Sequence, residues 1–257
     1  MAELQPNIDN KTIFTRLWDI SGELRQKLEA RFELHPDPST ATLKAYSSAI
    51  SEARGSLNAF SGPEIDWLVH TWMYNPKTGV GALGLTIWLG PHIQTPHLIF
   101  EFGTTPEILF NMDYISRSDL STDLEYLDRY YEPVNPIYLS LQADLRLSPY
   151  ISQVLYVRQF QSPTNLCYTC SATEDSLELI RTIAHEMLDR WLVWVNEAEP
   201  LPEEAQATLV KRDLFVRRTA FERDPGSKWL MQMFGQELTD TLVRALWGGD
   251  SPMAQLH

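Results

Sequence analysis

The stretch His97-Leu98-Ile99-Phe100-Glu101-Phe102-Gly103 writes one carboxylate into the middle of a run that otherwise reads as buried strand. Side chains alternate across a strand, so Leu98, Phe100 and Phe102 share one wholly apolar face. His97, Ile99, Glu101 and Gly103 share the other. An acid flanked by two phenylalanines in a central strand either pairs with a cation, stays protonated or lines a pocket. On spacing alone the favoured reading is a structural acid paired with an arginine such as Arg158.

Working outward, residues 65–74, 82–89 and 107–112 are also strand-like, and turns containing Asn75, Pro76, Gly79, Gly90 and Pro91 separate them. Connections this short force antiparallel neighbours, so the four strands form a meander. Two further strands are expected at 153–160 and 165–172, joined through Ser162-Pro163-Thr164. Before the sheet, Ile13, Phe14, Leu17, Ile20, Leu24 and Leu28 recur at helical spacing within 11–32. A weaker helix is expected at 43–53, after a His35-Pro36-Asp37-Pro38 breaker. Another is expected at 118–131 with Ser118 as N-cap, and Pro136 opens a further helical turn. The last third reads as helical: a long helix capped by Thr173, a more polar one at 203–222, a corner at Asp224-Pro225-Gly226 and a closing helix at 236–246. Helices before, between and after one antiparallel sheet must cover both of its faces. The expected fold is therefore α+β, a three-layer α/β/α sandwich around a mainly antiparallel six-stranded sheet, with residues 1–257 as a single domain.

Of the 257 residues, 44% are hydrophobic and 11% aromatic, enough for a substantial core without covalent staples. A net charge of −13 argues against nucleic acid as the main partner, because phosphate binding needs a basic footprint. No apolar run is long enough to span a membrane, and the opening residues resemble neither a signal peptide nor a transit peptide, so a cytoplasmic protein is expected. Cys167 and Cys170 form a lone CxxC, but in a strand an offset of three points their sulfurs to opposite faces. Two unpaired core cysteines are expected.

No glycine-rich nucleotide cradle, zincin pair or G-x-S-x-G elbow occurs, and the six histidines show no ligand spacing, so no metal site is expected. Two concentrations stand out. Trp67, Trp72, Tyr74, Trp88, Phe100 and Phe102 load the meander with aromatic rings, as a heavy sheet core would. Lys211, Arg212, Arg217, Arg218, Arg223 and Lys228 form a basic patch in an acidic chain, which reads either as a solvated helix face or as a docking site for an acidic partner.

Four sequence words, TPHLIFEFG (95–103), YVRQFQSPT (156–164), LVKRD (209–213) and DPGSKWLMQMFGQELTDTLV (224–243), in that order resemble the red chlorophyll catabolite reductase family. The resemblance runs from Trp67 to Leu246 and rests on the order and spacing of the words together. It implies an α/β/α sandwich similar to the ferredoxin-dependent bilin reductases, with no flavin or metal of its own and a homodimeric assembly. It also implies reduction of a linear tetrapyrrole by electrons from reduced ferredoxin, with Glu101 and Asp224 as the two acids that serve the reaction. Pro225 departs from the apolar residue expected after the second acid in plant members. Without a plastid segment at its start, the chain is expected to be a bacterial, cyanobacterial cousin. A bilin reductase acting on biliverdin, or a non-catalytic tetrapyrrole carrier, are the rival readings.

Ferredoxin delivers electrons singly, so electrons and protons must arrive alternately, and the protein can supply the protons itself. A carboxylic acid whose pKa is raised by an apolar site is a good donor at neutral pH. Glu101 is the expected donor, with Asp224 as a second donor or an orienter of pyrrole nitrogens. His97, Ile99, Trp88 and Arg158 are the candidate substrate contacts. Lys211, Arg212, Arg217, Arg218 and Lys228 are the candidate surface for acidic ferredoxin, and pigment propionates are expected to take some of the same cations.

Overall fold

Asp9 starts the first helix by accepting from the backbone N–H groups of Lys11 and Thr12, and α1 (Asn10–Arg31) buries Ile13, Leu17, Ile20, Leu24 and Leu28 along one stripe. In the computed structural model, which describes residues 9–249 and 251–255, this stripe packs on a single antiparallel sheet. Short strands β1 (His35–Pro36) and β2 (Tyr46–Ser47) precede β3 (Arg54–Ser61), β4 (Ile65–Asn75), β5 (Val80–Leu89), β6 (His97–Thr104) and β7 (Ile108–Ile115). Helices α2 (Leu124–Tyr130) and α3 (Asn135–Gln142) then lead to β8 (Leu147–Pro149), the short helix α4 (Leu155–Phe160) and β9 (Leu166–Cys170). Helices α5 (Glu174–Asn196), α6 (Glu203–Arg223), α7 (Gly226–Phe234) and α8 (Gln236–Leu246) follow. The sheet order is β1-β3-β4-β5-β6-β7-β9-β8, with β2 also paired to β3.

Strand β6 behaves as its alternation requires. Leu98, Phe100 and Phe102 are buried among the apolar stripes of α1 and α5, each contributing about 1.5–3 kcal/mol of hydrophobic stabilisation. On the opposite sheet face, Trp67, Val69, Met73 and Trp88 pack against α7 and α8. The indole N–H of Trp67 donates to the Ala245 carbonyl at 2.8 Å, and that of Trp191 to the Pro96 carbonyl at 2.8 Å, so each helical layer is pinned by a satisfied buried tryptophan. Two helical layers enclosing one antiparallel sheet make the three-layer sandwich, with β6 near its centre.

The sheet has nine strands among the described residues rather than six. Strand β3 was hidden by its polar alternation (Arg54, Ser56, Asn58), which suits a strand near the sheet edge. The helix expected at 43–53 does not form. Ser48 Oγ accepts from the N–H groups of Ile50 and Ser51, and both serine hydroxyls donate to the Met233 carbonyl, so side-chain bonds replace helical ones. The strand expected at 153–160 is instead α4, because β8 already occupies the free edge of β9 and an isolated segment satisfies its backbone by coiling. The helix expected from Ser118 begins at Leu124, with Asp123 as N-cap, and the Ser118 hydroxyl donates to that aspartate. Helix α7 was not anticipated. Both cysteines on β9 are free, Cys170 buried and Cys167 half-buried.

Candidate functional site

The sheet face opposite α1 and α5 is left open where β5, β6 and β7 pass beneath α4 and the end of α6. The result is a cleft of about 200 Å³, open to solvent at its mouth. Its floor is Trp88, Ile99, Glu101, Asn111, Asp113 and Ile115. Tyr156, Val157 and Phe160 come from α4, Val216, Ala220 and Arg223 from α6, and Asp224, Pro225 and Trp247 close the far side. The walls are apolar and aromatic with a few convergent polar groups, as a small-molecule site requires.

Glu101 is the only open residue in the first six positions of β6. Solvent reaches its carboxyl through the mouth of the cleft, while the walls strip hydration from the other sides. This burial raises its pKa above the ordinary glutamate value, a hydrogen bond from Asn111 partly offsets it, and the negative charge of Asp224 raises it again. No arginine is paired with it among the described residues. Its one hydrogen bond comes from Asn111 Nδ2, at 2.8 Å to Oε2, from the directly opposite position on β7. Asn111 Oδ1 in turn accepts from Asn165 Nδ2 at 2.8 Å, which fixes the orientation of the Asn111 amide and leaves Glu101 Oε1 to carry a proton.

Asp224 follows the last residue of α6. Its Oδ1 accepts from the Gly226 N–H at 2.7 Å, the turn that Asp-Pro-Gly favours, and its Oδ2 accepts from the Trp247 indole N–H at 3.1 Å. Asp113 sits deeper in the floor, opposite Ile99. Burial pushes its carboxyl up to about 6, against bonds from the Ser162 hydroxyl and N–H and from the Tyr114 N–H. Those bonds tie the segment after α4 to the sheet.

Beside the cleft, on the same sheet face, lies a buried charge cluster. Asp213 of α6 meets Arg117 Nη2 at 2.5 Å and His97 Nε2 at 3.2 Å. His97 Nδ1 accepts from the Leu89 N–H, so the ring is neutral, and burial holds its pKa down to about 4. Burial works against the Asp213 carboxylate, but Arg117 and its other partners keep it ionised, below the usual carboxylate range. One turn on, Arg217 pairs with Asp66 at 2.7 Å and lies over the Trp88 ring. These contacts hold α6 against the sheet and so fix where its C-terminus delivers Arg223 and Asp224.

The sequence profile of the red chlorophyll catabolite reductase (RCC reductase) family matches residues 18–247, which include every element of this cleft. The chain belongs to that family. It is 28% identical over 197 residues to red chlorophyll catabolite reductase 1 of Oryza sativa subsp. japonica, a chloroplastic protein, covering 71% of this chain and 60% of the rice protein. It is 27% identical over 181 residues to red chlorophyll catabolite reductase of Hordeum vulgare, covering 65% of this chain and 88% of that one. The Arabidopsis thaliana chloroplastic relative is 27% identical over 252 residues, covering 89% and 77%. Among solved structures, tomato phytochromobilin synthase in complex with biliverdin superposes with a TM-score of 0.82 at 15% identity, covering 92% of this chain and 84% of that one. This RCC reductase family member thus has the fold of that bilin-binding neighbour.

Of the residues singled out from sequence, Glu101, Asp224, Ile99 and Trp88 come together in the cleft. His97 shares the sheet face of Glu101 but not the cleft: it is 1% exposed and committed to Asp213 and Leu89. Arg158 is a further correction. Because its segment is helical, it points away, donates to the Ser152 carbonyl at 2.6 Å and lines a separate open cavity of about 790 Å³ beside β9. Arg217, 3% exposed, cannot present itself to a protein partner, and half-buried Arg212 donates to the Ser118 carbonyl at 2.8 Å. Lys211, Arg218 and Lys228 are exposed.

Asn111, Asp113 and Trp247 escaped the sequence reading, and Arg223, read there only as part of the basic patch, lines the cleft. Continuing the alternation of β7 past Met112 would have placed Asn111 and Asp113 on the face of Glu101. Nothing local marks Trp247. Among the described residues no cluster of three or more His, Cys, Asp or Glu could hold a metal ion, and no helix is long and apolar enough to cross a membrane.

Proposed function

We propose that this chain reduces a linear tetrapyrrole of the red chlorophyll catabolite type, taking electrons one at a time from reduced ferredoxin and protons from its own carboxyl groups, with no flavin or metal of its own. The observation that carries the reading is the carboxyl of Glu101 in its apolar cleft, its pKa raised by burial and by Asp224 and without an arginine partner among the described residues. Reducing one pigment double bond consumes two electrons and two protons. Glu101, protonated on Oε1 under a bound pigment, delivers a proton to the carbon or nitrogen that has just gained an electron, and solvent reprotonates it through the mouth. Asp224 orients the substrate by accepting from pyrrole N–H groups, a role favoured over donation because both its oxygens already act as acceptors. The names of the curated relatives support the pigment class, and the exposed cations Lys211, Arg218 and Lys228 support an acidic electron donor.

The test is an anaerobic assay with a ferredoxin-reducing system, in which the red catabolite and biliverdin are offered in parallel and the absorption change is followed. Glu101→Gln keeps the shape and the bond from Asn111 but removes the transferable proton, so turnover should fall about 10²–10⁴-fold with pigment affinity retained. Full turnover by that variant would end the assignment. Tight pigment binding without any bleaching would identify a carrier instead. Faster bleaching of biliverdin would favour a bilin reductase, the substrate class suggested by the biliverdin held in the tomato neighbour.

A further inference from the structure

The cleft holds three carboxyl groups, Glu101, Asp113 and Asp224, and one cation, Arg223, among the described residues that line it. We propose that Arg223 receives a carboxylate of the substrate, a propionate arm in a linear tetrapyrrole, and thereby sets which way round the pigment lies over Glu101. This deepens the functional reading above and rests on it.

The other arginines near the cleft are already committed. Arg117 serves Asp213, Arg217 serves Asp66, Arg212 serves the Ser118 carbonyl and Arg218 serves Glu222 at 2.9 Å. Arg223 has no ion pair among the described residues. Its guanidinium carbon lies 4.8 Å from the centroid of the Tyr156 ring, across the cleft on α4. Held against a ring, a guanidinium keeps its fork of N–H donors for a planar anion, which a carboxylate fits in bidentate fashion. A cation in the last turn also suits the helix dipole. The dipole gives no reason for it to project into the cleft rather than into solvent.

Position strengthens the case. Arg223 ends a helix whose middle is fixed by the buried pairs of Asp213 and Arg217, so its backbone is held in place. It also immediately precedes Asp224, at a set distance from the group proposed to orient the pyrroles. An anionic ligand approaching an acidic chain and an aspartate needs a local positive charge, and Arg223 supplies it where the ligand must enter.

The experiment is equilibrium binding of biliverdin and of its dimethyl ester, without reductant, to the full-length protein and to its Arg223→Gln and Arg223→Lys variants. The residue is exposed, so circular dichroism should show both variants folded. The unmodified protein should bind the free acid about tenfold or more tighter than the ester, and Arg223→Gln should lose about that factor for the acid alone. Arg223→Lys, which keeps the charge and loses the fork, should fall between them. Equal weakening of acid and ester would make Arg223 merely part of the wall and overturn the proposal, as would no weakening at all. An unmodified protein that bound acid and ester equally well would overturn the carboxylate anchor while leaving the tetrapyrrole site standing. One that bound neither would overturn the site reading and this inference with it.

Discussion

Replacing Asp213 by asparagine should cost the fold more than any change in the cleft itself. Asp213 is 2% exposed and gives one carboxylate oxygen to Arg117 and the other to His97. Arg117 is equally buried, and its remaining bonds go to the carbonyls of Gly90 and Ile93, neither of which carries a charge. An amide has one acceptor oxygen for the two donors that face it, and turns its own N–H groups toward one of them. The guanidinium is then left in the interior without a counter-charge. Breaking a buried pair in this way costs about 3–5 kcal/mol, which for a chain of this length lowers the melting temperature by roughly 6–10 °C. Because the same contact fixes α6, pigment affinity should fall as well, through displacement of Arg223 and Asp224, about 15 Å further along the helix. The assay is urea denaturation followed by tryptophan fluorescence, comparing midpoints at constant slope. A control, Arg117→Met with Asp213→Leu, removes both charges and should recover most of the lost stability. A loss below about 1 kcal/mol for Asp213→Asn would refute the idea that this pair anchors the helix.

Two further changes act on the proposed chemistry. Asn111→Leu removes the hydrogen bond that lowers the pKa of Glu101, leaving burial and Asp224 to raise it further. The donor must be protonated, so activity falls as pH rises through its pKa, and the variant should show that fall at higher pH in a profile of kcat against pH; an unchanged profile would separate Glu101 from the rate. Reversing Lys211, Arg218 and Lys228 to glutamate should slow ferredoxin-driven turnover about tenfold or more at low salt, with the difference shrinking at high salt and pigment binding unaffected. Equal rates at low salt would move the docking surface elsewhere.

The fold was legible wherever one face of an element is solidly apolar. Leu98, Phe100 and Phe102 fix the register of β6, and the stripes of α1 and α5 carry their own periodicity. It failed where tertiary context decides. The segment 153–160 has the β-branched and aromatic content of a strand, yet β8 already pairs with the edge of β9 that it would join. Residues 43–53 have a helical pattern, yet Ser48 and Ser51 are drawn to the Met233 carbonyl, 185 and 182 residues away in sequence. For the site, a lone acid in an aromatic strand marked Glu101 as a residue to account for, but its spacing favoured an arginine partner, and only the family resemblance pointed to a catalytic role. Whether a basic residue faces solvent, a salt bridge or the cleft is not local. Arg212, Arg217, Arg218 and Arg223 occupy four different environments on one helix, and only their partners on the sheet and on α4 distinguish them.

The same reasoning explains how two carboxyl groups in one cleft can take different parts. Glu101 stands on a strand in mid-sheet, where the backbone cannot offer it N–H donors because these are engaged in the ladder with β5 and β7. It receives a single amide bond, which offsets only part of its lost hydration, so its pKa stays above the ordinary glutamate value. Asp224 stands where a helix has ended and the chain turns, so a free backbone N–H and an indole N–H converge on it, one to each oxygen. Both of its oxygens are thereby occupied as acceptors, and its charge raises the pKa of Glu101. The proposed division between a proton donor and a substrate orienter rests on one acid lying on a strand and the other at a helix end.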